Sequence, residues 1–185
     1  MKKETGYEEV DTSNYSELLE SITDEEWDEM EVEMFNNFNK KVLSVKKLNQ
    51  DAVLPSYNYP SDSGFDLYST TDILITPFGR ALVPTGLSVQ FEEGLEIQVR
   101  TKSGLAINQG LMVLNSPGTV DQGYTGEIQV IVFNTNNTTV TIPKGMKVGQ
   151  GVLCPVVQGK FVSFEKVEQL ENKDRGNNGF GSTGI

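Results

Sequence analysis

Several stretches of this chain place polar side chains and glycine where chemistry on a phosphorylated small molecule could use them. Asn115-Ser-Pro-Gly-Thr-Val-Asp-Gln-Gly-Tyr-Thr-Gly-Glu127 sets one carboxylate, Asp121, between an amide and an aromatic ring. Lys102-Ser-Gly-Leu-Ala106 offers an ammonium, a hydroxyl and bare backbone N–H groups to an anion. Two more patches, Ser63-Gly-Phe-Asp-Leu67 and Lys144-Gly-Met-Lys-Val-Gly-Gln150, are too polar and too glycine-rich for plain strands and turns. The chain ends on Arg175-Gly-Asn-Asn-Gly-Phe-Gly-Ser-Thr-Gly-Ile185. There Arg175 can fork onto phosphate oxygens, Ser182 and Thr183 can donate hydroxyls, and Phe180 can stack on a base. Glycine costs more backbone entropy to order than any other residue. The end therefore reads as an arm that folds over a nucleoside polyphosphate. There is no histidine, so histidine triads, bases and metal sites are excluded, and a carboxylate is left as the base.

These patches must be carried by a scaffold, and the periodicity says which kind. From residue 41 onward the apolar period is two: Leu95, Ile97 and Val99 alternate with polar neighbours, as do Ile128, Val130 and Val132. Further short β-prone runs cover Val42–Val45, Ile73–Ile75, Leu82–Val83, Leu87–Phe91, Leu111–Leu114, Thr138–Ile142, Val152–Val157 and Phe161–Phe164. Gly, Pro, Asn and Asp punctuate them, and no helix-length amphipathic segment appears in this half. The expectation is an all-β domain of jelly-roll type.

The net charge of −11 is unevenly placed: residues 1–40 hold 13 of the 26 acidic side chains and 3 of the 15 basic ones. The rest is nearly neutral, and neither part carries the basic stripe of a nucleic-acid binder. Within the acidic extension, residues 1–20 read as poorly ordered. Thr23-Asp-Glu-Glu26 then fits a capping box, and Trp27, Met30, Met34, Phe35 and Phe38 share one face of a helix near 23–39. That face either docks on its own domain or binds a protein partner, and the extension also reads as an acidic solubility tail. The expected division is a 1–40 extension, a 41–173 β domain and a 174–185 lid. No run reaches the length of a membrane span, and the N-terminus lacks the apolar stretch of a signal peptide. One cysteine, Cys154, fits a reducing compartment and, in its apolar run, a buried inert thiol.

Gly-Thr-Val-Asp-x-Gly-Tyr-x-Gly-Glu together with Arg-Gly-x-x-Gly-Phe-Gly-Ser-Thr-Gly, and the other patches in this order, resemble the trimeric dUTPase family (dUTP diphosphatases) over about 145 residues. The resemblance implies the family's jelly-roll-like homotrimer, here with an added N-terminal helix. It implies hydrolysis of dUTP to dUMP and pyrophosphate with Mg²⁺, which limits the dUTP pool and supplies dUMP for thymidylate synthesis. It implies that Asp121 activates the water that attacks the α-phosphorus. Asn115, Gly118, Thr119 and Val120 would meet uracil, Tyr124 would lie under the deoxyribose, and Gln129 would contact substrate. Lys102 stands where the family usually has arginine; with Ser103, Gly104 and Gln150 it would meet the phosphates, and Lys147 matches the basic residue three before that glutamine. Arg175, Gly181, Ser182 and Thr183 would take the γ-phosphate, and Phe180 would cap the base. Asp66 would hold the metal through water. Each site would lie between subunits, closed by the tail of a third. With no export signal, the expected location is the cytoplasm of a bacterium or phage-infected host. A dCTP deaminase shares the fold, but Ile131 stands where that enzyme needs a glutamate. A regulatory binding protein, with the extension as its docking module, is the reading from another class.

Overall fold

The computed structural model describes Thr23, Glu25, Trp27 and residues 40–178, and divides into two compact units, 1–43 and 44–185. In the first unit Glu25 and Trp27 are helical, and the Trp27 N–H donates to the Thr23 carbonyl at 2.9 Å, the first i→i−4 bond after the capping box. The rest of the helix expected near 23–39 lies outside the described residues.

Among the described residues from Leu43 onward, eleven strands and one short α-helix follow in order: β1 (Leu43–Lys47), β2 (Phe65–Tyr68), β3 (Ile73–Ile75), β4 (Arg80–Pro84), β5 (Leu87–Phe91), β6 (Leu95–Arg100), α1 (Ser103–Gln109), β7 (Leu111–Val113), β8 (Gly118–Val120), β9 (Gln129–Asn134), β10 (Val140–Ile142) and β11 (Lys147–Pro155). A four-stranded antiparallel sheet has the order β2-β11-β6-β8, and a three-stranded one the order β4-β9-β7. Two-stranded pairs β1-β5 and β10-β3 complete the all-β, jelly-roll-like fold.

Alternation sorts the faces. Leu95, Ile97 and Val99 of β6 are buried, as are Val130 and Val132 of β9, while their neighbours are half-buried or exposed. Leu67, Val113, Ile142 and Val148 join the same core. Burying each such side chain contributes about 1.5–3 kcal/mol, so the strands form a firm frame for the loops between them. The two larger sheets meet closely at Gly149, where a Cβ would stand 3.5 Å from Val113 Cγ2 and 3.6 Å from Val130 Cγ1.

Two expectations need correction. The Phe161–Phe164 run is not a strand: a 3-10 turn spans Gly159–Phe161, irregular chain follows, and Phe164 is 98% exposed. Its β propensity is unused because no neighbouring strand pairs with it, and propensity of this kind works through packing. Conversely α1 was not expected. None of its residues is buried, so no apolar stripe marks it; it is closed by Gly110 at φ 60°, whose N–H reaches the Ala106 carbonyl.

Candidate active site

Asp121 directly follows β8, and the loop from there to β9, which crosses from the four-stranded sheet to the three-stranded one, is fastened at several points. Thr85 Oγ1 donates to the Ile128 carbonyl (2.6 Å), Ser88 Oγ to the Thr125 carbonyl (2.7 Å), and the Ile128 N–H to the Leu87 carbonyl (2.8 Å). The Glu127 carboxylate accepts from the Gly86 N–H (2.7 Å) and from Gln129 Nε2 (3.2 Å). Glu127 therefore fastens the loop, while Asp121 is exposed and its carbonyl accepts the Tyr124 N–H at 2.9 Å. The loop borders an open recess of ≈ 270 Å³ lined by Asn115, Thr119, Val120, Asp121, Tyr124 and Gln129, together with the apolar Leu82 and Ile131. One cavity thus gathers six of the residues singled out from the sequence. Gly118 opens β8 beside them, one residue beyond a cis Ser116–Pro117 bond.

Three predicted side chains rest on glycines. A Cβ on Gly118 would stand 2.9 Å from Asn115 Nδ2, and one on Gly126 would stand 2.5 Å from the Tyr124 hydroxyl oxygen. A Cβ on Gly64 would collide with Gln150 Oε1. None of the three is among the glycines of positive φ, which are Gly86, Gly94, Gly110, Gly145 and Gly176. Their backbones are ones any residue adopts; the space above them is what a side chain would fill.

A second group gathers where β2, β11 and β6 run side by side, with Gln150 opposite both Asp66 and Arg100. The Asp66 side chain is 2% exposed and shared by two cations: Lys102 Nζ pairs with Oδ1, and Lys147 Nζ pairs with Oδ2 at 2.6 Å. Asn58 Nδ2 also donates to Oδ2, at 3.3 Å. Burial alone pushes the Asp66 carboxyl up, but the two ammonium groups outweigh it and hold it below its usual 3.8. The bond to Asp66 likewise raises Lys147 above 10.5. Gln150 Nε2 donates to the Thr101 carbonyl at 3.1 Å. Lys102 then caps α1, which begins at Ser103 and Gly104; their N–H groups have no intrahelical acceptor. Arg100 turns elsewhere: its Nη2 donates to Gln98 Oε1 (2.6 Å) and lies 3.5 Å from Cys154 Sγ. Cys154 is accordingly half-buried beside a cation, not sealed in the core as its apolar run suggests.

The two groups occupy opposite ends of β6. Val120 lies opposite Ile97, so Asp121 falls level with Glu96, whereas Lys102 is six residues further along. At about 3.3 Å per residue the separation is roughly 20 Å. Arg175 sits in a turn at 174–177, with its Nε donating to the Asn178 carbonyl at 3.1 Å. Phe180, Gly181, Ser182 and Thr183 lie outside the described residues. Sequence reasoning missed Asn58 and Glu127; a carboxylate directly after the Gly-Tyr-Thr-Gly turn was the available signal for the second.

No cluster of three or more His, Cys, Asp or Glu side chains able to hold a metal occurs among the described residues. Asp66 has both oxygens engaged by nitrogen donors. This donor set fits a divalent ion carried on a polyphosphate, with waters for most of its shell, and not one caged by the protein.

A dUTPase family model matches residues 50–184. The deoxyuridine 5'-triphosphate nucleotidohydrolase of Nautilia profundicola is 46% identical over 142 residues, covering 77% of this chain and 98% of the relative. That of Clostridium tetani is also 46% identical, over 77% of this chain and 96% of the relative. Among solved structures, a Staphylococcus bacteriophage 80alpha dUTPase mutant with dUpNHpp aligns with a TM-score of 0.71 at 24% identity, over 78% of this chain and 99% of that one. A phage phi11 dUTPase mutant, described with a structural Mg(II) ion, gives 0.64 at 22% identity, over 71% and 99%.

Proposed function

The chain belongs to the dUTPase family, and from that premise we propose how its residues divide the work on dUTP. The activity is that of a dUTP nucleotidohydrolase: water adds to the α-phosphorus, the bond to the α,β-bridging oxygen breaks, and dUMP and pyrophosphate leave. Asp121 takes the proton of the attacking water, since it faces the recess and fastens nothing else. Asn115, Gly118, Thr119 and Val120 present amide and main-chain groups to the uracil edge. A base with the opposite donor pattern would leave buried groups unpaired. Tyr124 carries the deoxyribose and leaves no room for a 2′-hydroxyl. Gln129, at the mouth, contacts the same ligand.

Lys102, Ser103, Gly104 and Gln150 receive the phosphates. Arg175, Gly181, Ser182 and Thr183 close on the γ-phosphate, and Phe180 covers the base; the segment 174–185 is thus a lid on the 41–173 domain. A Mg²⁺ ion carried on the phosphates would supply charge neutralisation there, and Asp66 would reach its water shell only by yielding one lysine contact.

The working unit is a homotrimer. Roughly 20 Å between Asp121 and Lys102 is more than one extended triphosphate bridges comfortably, so the recess of one copy must face the cationic group of another. The outer face of β4-β9-β7 suits such contact: Leu82 is 54% exposed and Met112 37%, with Ile131 and Phe133 half-buried between them. We assign residues 1–40 no part in this chemistry and propose that the segment 23–39 serves a protein partner.

The single observation that carries this reading is the gathering of Asn115, Asp121, Tyr124 and Gln129 around one recess. Purified protein with Mg²⁺ and equal concentrations of dUTP, dTTP, dCTP and UTP should release pyrophosphate from dUTP, with the other three at least about 100-fold slower. Comparable turnover of any other nucleotide would overturn the assignment of the recess to deoxyuridine.

A further inference from the structure

We infer that Gly126 is a specificity-determining residue: it exists as a glycine to seat the Tyr124 ring, and through that seat it sets the discrimination between deoxyribose and ribose. The inference rests on the reading of Tyr124 given above. A Cβ at position 126 would stand 2.5 Å from the Tyr124 hydroxyl oxygen, 2.6 Å from the ring carbon bearing it and 2.9 Å from Cε2. Real carbon contacts are not that short, so ring and methyl cannot share the place. The φ of Gly126 lies outside the left-handed region, so its backbone does not require glycine. By contrast Gly123, in the same loop, has nothing within 4 Å.

The seat is also rigid. The tyrosine hydroxyl donates to the Glu127 carbonyl at 3.0 Å, and Glu127 is tied to Gly86 and Gln129. The ring is 47% exposed and lines the recess. An added methyl group would therefore move the ring and leave the loop in place, because the ring is the softer partner. Moved out of the recess, it would admit ribose, and the preference for dUTP over UTP would fall; moved into the recess, it would slow both nucleotides and leave the preference standing.

The test is a double-mutant cycle on full-length protein with Mg²⁺. The readout is the ratio of kcat/KM for dUTP to kcat/KM for UTP, in wild type, Gly126→Ala, Tyr124→Ala and the double variant. Gly126→Ala should lower the ratio about tenfold in the wild-type background and leave it unchanged in the Tyr124→Ala background. An equal loss in both backgrounds would mean that the glycine acts through the loop and not through the ring, and would overturn the inference. So would an unchanged ratio in Gly126→Ala while Tyr124→Ala loses it. If Tyr124→Ala itself keeps the full ratio, the reading of the tyrosine fails instead. Gly123→Ala, in open space, is the folding control and should keep the wild-type ratio; a matching loss there would overturn the inference too.

Discussion

The two ends of β6 hold their polar groups by different physics. At the end that carries the 121–128 loop the side chains are placed by contact: Asn115 and Tyr124 rest on glycines, and hydrogen bonds from the Thr85 and Ser88 hydroxyls and the Gly86 N–H fix the loop. At the other end Lys102 and Lys147 are placed by charge, both drawn to one buried carboxylate. Contact is short-ranged and nearly indifferent to salt and pH, which suits discrimination between bases and sugars that differ by one group. Charge is long-ranged and tolerant of geometry, which suits capture of a flexible triphosphate. A carboxylate takes part at each end, with opposite duties. Asp66 is buried and holds two lysines; Asp121 is exposed and free of side-chain partners among the bonds described.

The sharpest way to break this comparison is to remove each carboxylate in turn. Asp121→Asn should lower kcat by about 10³-fold or more, since it removes the proposed base and leaves loop and recess in place. KM should stay within about threefold. Pyrophosphate release under saturating dUTP checks both; a rate near wild type would show that another group moves the proton. Asp66→Asn should act on stability first. Removing it strands two ammonium groups that repel each other, a loss of about 2 kcal/mol once the partial exposure of both lysines is allowed for. Urea unfolding reads that loss, and Asp121→Asn is expected to show almost none of it.

The same pair has a pH signature. Because the folded Asp66 titrates below 3.8, its contribution is complete above that pH and is lost as pH falls through the lower folded value. Wild type should therefore lose stability below pH 3.8 more steeply than Asp66→Asn. At the alkaline side Lys147, raised above 10.5, contributes fully below that pH and less as pH climbs past the folded value. Parallel curves for the two proteins at acid pH would show that the carboxylate is not held as described.

The same contrast governs what the sequence disclosed. Period-two runs such as Leu95, Ile97 and Val99 announced their strands because burial alternates with the pleat. The residues around the recess were legible because Gly-Thr-Val-Asp and Gly-Tyr-x-Gly lie within thirteen consecutive positions, and a local loop brings them together. The cationic end was legible only as separate fragments. Asp66, Lys102 and Lys147 meet through the register of β2, β11 and β6, and nothing in their spacing states that register. Asn58, in the loop before β2, was invisible for the same reason. The Phe161–Phe164 run erred in the other direction, since β-prone residues with no strand beside them remain irregular. Seven-residue α1 escaped because helical periodicity needs a buried stripe to register.

The smallest effect, and the finest probe of the cationic end, is Lys102→Arg. The change keeps the charge and adds a planar fork. Asp66 Oδ2 already accepts from Lys147 and Asn58, so a guanidinium at 102 is expected to place one N–H on Oδ1 and turn another toward the phosphates. That second bond should lower KM for dUTP about threefold, with kcat and the salt dependence of kcat/KM unchanged, because no charge is gained. An unchanged KM would mean that the ammonium serves as a point charge whose exact geometry is immaterial, which would sharpen the contrast with the 121–128 loop end. A raised KM would mean that the fork has closed wholly on Asp66 and been withdrawn from substrate. The carboxylate would then be competing with the phosphates for this cation, and the division of duties between Asp66 and Asp121 would be less clean than the geometry suggests.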